Sequence, residues 1–377
     1  MKTAESNSSH IKVFDILSRY IAGNFLKSFF LVFLCFFVII SILETMEVVR
    51  RYFANGVDVS FLQIFKLTVL RATVTVYSFF SFLSLLASIV FFTMMHNKLE
   101  LTVIKVVGVS TQGLLKSLFV ATALVSGLYI TVLDGLSAMS SNKVKILDTQ
   151  LKQSAEDAGS SLTITNSGVW MRDVFDKTAY IVSAETFKRH EAELSNVRIF
   201  EIAENGELQR SIHATTAHIS AGFWKLQNCS IVTTDGAKSE CETLELPTKL
   251  SFSNINKMIA NPNSVSFWSI SKYVAMLDKV GLSSMKYKIH WFSRLSSIVQ
   301  MFAFLVLATA FCVNYNARNT RKYMLRVAFL LVLAFPIHFF NNVMTAFGES
   351  GILPFAVAPF VIPLTTLLLG LKMIERT

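Results

Sequence analysis

Two arginines in succession close the stretch Glu44-Thr45-Met46-Glu47-Val48-Val49-Arg50-Arg51, and Arg71 follows beyond it. The planar guanidinium donates two parallel hydrogen bonds to a phosphate or a carboxylate. The cluster therefore has two readings: it holds an anionic head group, or Glu47 and Arg51, at i and i+4 on a helix, form a solvated ion pair. A second segment, His96 to Ser110, places Leu99, Val103, Val106 and Val107 on one helical face, with Glu100 near the start and Gly108 as a stop. That pattern predicts a short amphipathic surface helix. It suits docking on a separate ATPase, and equally suits lying flat on lipid.

Enzymatic chemistry finds less support. No G-x-x-x-x-G-K-[ST] sequence occurs, so the chain builds no Walker A phosphate cradle. His190-Glu191 lacks the second histidine of a zinc-protease helix, and neither a metal nor a cofactor is expected. His338, inside an apolar run, reads as a functional intramembrane group or as a neutral imidazole bonded to a neighbouring helix.

The elements that must position these residues are membrane spans. Hydrophobic residues make up 53% of the 377 and charged residues 16%, against about 25% charged in soluble domains. Mean hydropathy is +0.51. Runs of the length needed to cross a bilayer lie at about Phe25 to Met46, Leu67 to Met95, Gly113 to Leu133, Leu295 to Val313, Met324 to Val343 and Ile352 to Met373. In span two, Thr75, Ser78, Ser81, Ser84 and Ser88 form a stripe that lets another helix approach, or lines a polar path. Pro354, Pro359 and Pro363 bend the start of span six, where packed neighbours can satisfy the freed carbonyls.

The net charge of +10 does not imply nucleic acid, because many basic residues flank the apolar runs on one side. The loop from Asn314 to Arg326 carries Arg318, Arg321, Lys322 and Arg326 with no acid, whereas Thr345 to Leu353 carries only Glu349. The first loop is therefore cytoplasmic, and counting spans outward from it places both termini in the cytoplasm. The segment between spans three and four lies on the far side. It reads as short alternating strands, including Leu162 to Thr165, Thr178 to Val182 and Val197 to Ile202, punctuated by Asn205-Gly206, Ala221-Gly222 and Asp235-Gly236. This favours an antiparallel sandwich or roll. Cys229 and Cys241 flank the turn Thr233 to Gly236, and are either bridged or free. Trp268 to Leu282 reads as an amphipathic helix leading back to the bilayer. The layout is residues 1–136 with spans one to three, 137–265 as an all-β domain, and 266–377 with a linker helix and spans four to six.

With these residues in place, the chain resembles the LptF/LptG family of lipopolysaccharide export permeases over nearly its whole length. The likeness rests on Leu17-Ser18-Arg19-Tyr20-Ile21 before span one, Leu99-Glu100-Leu101 with Gly108 in the loop, Gly168-Val169-Trp170-Met171-Arg172 in the β domain, and the three-insert-three layout. The end of span one and the proline-containing last span are closer to the LptG branch than to the LptF branch. The resemblance implies a periplasmic β-jellyroll and a heterodimer with an LptF-type permease. It further implies two LptB ATPase subunits, LptC, and a periplasmic bridge that carries lipopolysaccharide from the inner membrane to the outer membrane. By resemblance, Leu99, Glu100, Leu101 and Gly108 couple to the ATPase. Arg50 and Arg51 match a basic pair at the outer mouth of a lipid cavity, near Glu47, Arg71, Lys143 and Lys145. Two features depart from the family: Glu44 stands where a lysine is common, and a proline common after span three is missing around Asp134 to Ser140. A permease or membrane scaffold of another lipid or lipoprotein exporter is the alternative function.

The orientation has a direct test. A phosphatase fused near Asn205 is expected to be active and one fused near Asn319 silent; the reverse pattern overturns the topology.

Overall fold

A computed structural model describes residues 2–54, 60–152, 161–165, 168–175, 178–188, 193–203, 207–220, 222–248, 261–280, 282–313 and 320–375. Arg318, His190-Glu191 and Asn205-Gly206 lie outside the described residues. The chain divides into two compact units, residues 1–144 with 288–377, and residues 145–287.

The first unit is helical. Helix α1 runs Lys2–Ala54, α2 Phe61–Ser78, α3 Phe80–Asn97, α4 Glu100–Val106 and α5 Thr111–Leu128. A π-helical turn at Tyr129–Leu133 carries α5 directly into α6, Asp134–Lys152. After the β domain come α7, Phe267–Val280, α8, Met285–Cys312, α9, Thr320–Glu349, and α10, Val361–Glu375. Among the described residues six helices are long and apolar enough to cross a membrane.

Burial divides the spans into two kinds. The apolar windows of α3 and α8 are 72% and 67% buried, those of α1 and α9 only 11% and 17%. Interior helices owe their contacts to small and hydroxyl side chains, which allow close approach where no hydrophobic force drives helices together in lipid. Ser81, Ser84 and Ser88 are buried, and Ser84 donates to the Met301 carbonyl of α8 at 3.4 Å. The hydroxyl stripe thus makes a helix contact at Ser84, while Ser88 bonds back to the Ser84 carbonyl at 2.7 Å. Thr75 and Ser78 belong to α2, across the break at Phe79. Aromatic packing fills the remaining interior: Phe25 meets Phe91 edge-on at 5.7 Å, and Phe29 meets Phe80 at 5.3 Å.

Span six differs from its sequence limits. Residues Ile352 to Val357 form turns, a 3-10 turn follows at Ala358–Phe360, and α10 begins only at Val361. Proline lacks the donor N–H and disfavours a helical residue before it, so Pro354 and Pro359 delay the helix rather than bend it. The buried Ser296 hydroxyl donates to the Pro359 carbonyl at 2.6 Å and satisfies one freed group.

The second unit is an antiparallel sheet of β1 Ser161–Thr165, β2 Gly168–Phe175, β3 Thr178–Lys188, β4 Glu193–Ile202, β5 Leu208–Ser220, β6 Phe223–Thr233 and β7 Lys238–Pro247. Each strand pairs with its sequence neighbour. The described strands therefore form an antiparallel meander, the inserted all-β domain expected from the sequence. Alternate residues such as Val182, Ile199, Ile212, Trp224 and Leu226 are buried, as a sheet with one apolar face requires. The sheet covers that face by rolling: buried Thr248, just past β7, donates to buried Asp173 on β2. Helix α7, found where the amphipathic pattern predicted it, packs on β1 and β3. Gly168 has a φ of +133°, and a Cβ there would lie 2.1 Å from the Ala184 carbonyl oxygen, so only glycine opens β2.

Cys229 and Cys241 are direct cross-strand partners on β6 and β7, with Cα atoms 5.0 Å apart, and form a disulfide. Cys35 and Cys312 are free thiols. Thiol alkylation of the unfolded, unreduced protein is accordingly expected to label two cysteines, and all four after reduction. Four labels without reduction would show that the bridge does not form.

Candidate functional site

At one end of the helical unit, α3 stops at Asn97 and the chain turns through Lys98 and Leu99 into α4. Leu99 takes a φ of +60°, a left-handed conformation that costs a leucine about 1–2 kcal/mol and sharply redirects the chain. Gly108, at φ +87°, ends the turn after α4 without that cost, and Ser110 caps α5 by accepting from the Gly113 N–H at 3.1 Å. Leu101 and Ile104 anchor α4 to the bundle. Leu99, Val103, Val106 and Val107, the face read from the sequence, are 57–82% exposed. The Tyr20 hydroxyl donates to Glu100 at 3.0 Å, joining two of the segments that carry the family resemblance. His96 stacks on Tyr323 at 4.1 Å, so this loop lies at the same end of the bundle as the basic start of α9. A cavity of about 390 Å³ opens beside Glu100, lined by Asn24, Lys27, Ser28 and Lys98 among others.

The acidic and basic residues of α1 sit at its other end, some 35–45 Å along the helix from Tyr20 at 1.5 Å per residue. Arg50 and Arg51 both donate to Glu47, at 2.7 and 3.1 Å. The ion pair expected at i, i+4 is present, and the one carboxylate accepts from two guanidinium groups. Arg50 keeps 78% of its side chain exposed. Glu44 accepts a hydrogen bond from Thr75 of α2 at 2.7 Å, which accommodates the acid at a position where the family commonly has lysine. Arg71 is half-buried on α2. Lys143 and Lys145 are both exposed on α6, where residues two apart point about 200° away from each other. The structure thus joins Glu47, Arg50 and Arg51 by direct contact, while the two lysines face different ways.

The sequence reading did not single out the polar centre of the helical unit. Asp134, wholly buried, pairs with the buried Arg294 of α8 at 2.8 Å and accepts a hydrogen bond from the Tyr77 hydroxyl at 2.9 Å. Tyr77 stacks on Tyr129 at 4.7 Å, and the Arg294 guanidinium carbon lies 5.9 Å from the Tyr77 ring centre. The signal was present: an acid at the end of span three and a base just before span four, each next to an apolar run. His338 lies 5.2 and 6.2 Å from the rings of Phe79 and Phe82, packed among aromatics. Among the described residues no three His, Cys, Asp or Glu side chains group as a metal site.

Six apolar helices, interrupted after the third by a β domain, define a polytopic membrane protein of the permease type. The sequence model of the lipopolysaccharide export system permease LptF/LptG matches residues 19–376, and the chain belongs to that family. No curated protein sequence matches the chain. It is a multi-pass inner-membrane permease of lipopolysaccharide export that works with partner proteins and does no catalysis itself.

Proposed function

We propose that the chain is the LptG-type half of a heterodimer with an LptF-type permease, powered by two LptB subunits that dock on α4. The exposed apolar face of Leu99, Val103, Val106 and Val107 carries this reading. A helix anchored from beneath by Leu101 and Ile104 presents that face outward, beside Glu100 and near the basic start of α9. Positive-inside placement puts that end in the cytoplasm, where an ATPase is found. Both termini lie on that side, and the β domain, residues 137–265, lies in the periplasm with LptC and the bridge. The cluster of Arg50 and Arg51, with Arg71, Lys143 and Lys145, meets the phosphates of lipopolysaccharide at the outer mouth. The exposure of the Arg50 side chain supports that role. The LptG assignment draws on the end of span one and the prolines of span six.

Docking is tested by copurification of the ATPase. Burying an exposed valine contributes about 1.5 kcal/mol, close to a tenfold change in binding. Val103→Asp with Val106→Asp is expected to weaken ATPase binding at least about a hundredfold. Glu100→Ala should weaken it less, with the membrane helices assembled in both cases. Full ATPase binding and lipid release by the valine pair would show that α4 lies on lipid instead.

The lipid site is tested by photocrosslinking from position 50 to lipopolysaccharide in an ATPase-trapped complex. Because these arginines are exposed and share Glu47, the double change Arg50→Ala with Arg51→Ala is expected to lower lipid binding only about three- to tenfold. No crosslink together with unchanged transport would leave the cluster a surface ion pair.

A further inference from the structure

We propose that Asp134 and Arg294 are positioning residues for transport: their ion pair latches span three to span four in one of two helical registers. Three observations carry this. First, the pair is an unfavourable way to gain stability. Both groups are buried, at 0% and 3% exposure, and a buried pair is often no more stable than apolar residues of the same volume. Nor are its donors all used, since Arg294 Nε has no hydrogen-bond partner among the described residues. A pair serving stability alone would have its remaining donors satisfied.

Second, the π-helical turn Tyr129–Leu133 ends immediately before Asp134. Such a turn holds one residue more than an α-helical turn. Converting it to α-helix rotates everything on one side of it by about 100°, which carries the Asp134 carboxylate away from Arg294. Span three therefore has two discrete registers, and the ion pair with the Tyr77 hydrogen bond selects the one seen.

Third, the latch is tied to the charged end of α1. Tyr77 holds Asp134, while Thr75, on the opposite side of the same α2 turn, holds Glu44 in the charged segment that ends at Arg51. A change in occupancy at the arginines reaches the latch through one rigid helical turn. Tyr129, inside the π turn, stacks on Tyr77 and completes the contact. We assign the latch to the transfer of lipid toward the β domain, whose chain leaves through α6 and returns through α8.

The inference rests on the transport reading above. The experiment uses the whole complex, this chain with its partner permease and ATPase, in liposomes containing lipopolysaccharide. It reads lipid released per ATP hydrolysed, a ratio that stability alone does not move. Asp134→Leu, Arg294→Met and Tyr77→Phe together remove the acid, the base and the hydroxyl, so none is left buried alone. That triple variant is expected to assemble and hydrolyse ATP like the wild type, and to release at least about tenfold less lipid per ATP, an effect of about 1.4 kcal/mol or more on coupling. Arg294→Lys, which keeps the charge, is expected to recover much of the ratio. An unchanged ratio in the triple variant overturns the latch, and so does Arg294→Lys performing no better than the triple variant. Failure of the triple variant to assemble also overturns it, making the pair a folding element. A wild-type complex that releases no lipopolysaccharide with ATP overturns the transport reading itself, whereas a coupled wild type beside an equally coupled triple variant overturns only the latch.

Discussion

Inside a bilayer a polar group has no water to turn to, and the helical unit is organised by that constraint. Most hydroxyls in the spans bond back to a carbonyl one turn earlier: Ser41 to Phe37, Thr45 to Ser41, Ser88 to Ser84, Ser126 to Thr122 and Thr309 to Leu305. Each is satisfied within its own helix and leaves the neighbour a small side chain to pack against. Asp134 and Arg294 have no such local remedy, and the carboxylate and guanidinium meet across separate helices. Their contact fixes where α6 and α8 lie against each other, and Tyr77 brings α2 into the same arrangement.

The division between buried and exposed spans follows from the same physics. Helices α3 and α8 form the interior, with seams of Ser and Phe side chains. Helices α1 and α9 turn Phe30, Val38, Phe329, Phe335 and Phe339 outward. In a soluble protein an apolar surface of that extent would be a liability. In a membrane subunit it is the surface offered to lipid and to another subunit. The permease family to which the chain belongs works in a multiprotein machine, and outward-facing spans suit a subunit that is one part of a larger assembly.

The helical unit also separates its two kinds of chemistry by length. An apolar face near Glu100 lies at one end, and a cluster of arginines over a single glutamate at the other. The long-range contacts of Tyr20, Tyr77 and Tyr323 tie helices together along that length. The β domain obeys a different rule. Its strands alternate, and one face, with Val182, Ile199 and Trp224, is buried.

Sequence alone determined what depends on local sums and periods. Hydropathy over some twenty residues located the six spans, because crossing a bilayer is a property of a segment and not of its contacts. Period and capping located α4 with Glu100 at its start and Gly108 past its end, and alternation with turn residues located the strands. What only the tertiary structure decided are pairings between residues far apart in the chain. That Asp134 meets Arg294, that Glu44 is held by Thr75, that Tyr20 reaches Glu100 and that Cys229 faces Cys241 are facts of register. A shift of one residue on a helix turns a side chain by about 100°, and on a strand moves it to the other face. The strand order behaved likewise, since alternation is the same whichever strands pair and only the hydrogen-bonded partners settle it. The delayed start of α10 was half legible: the prolines marked the disturbance, but whether they bend a helix or postpone it depends on which neighbour, here Ser296, satisfies the carbonyl they free.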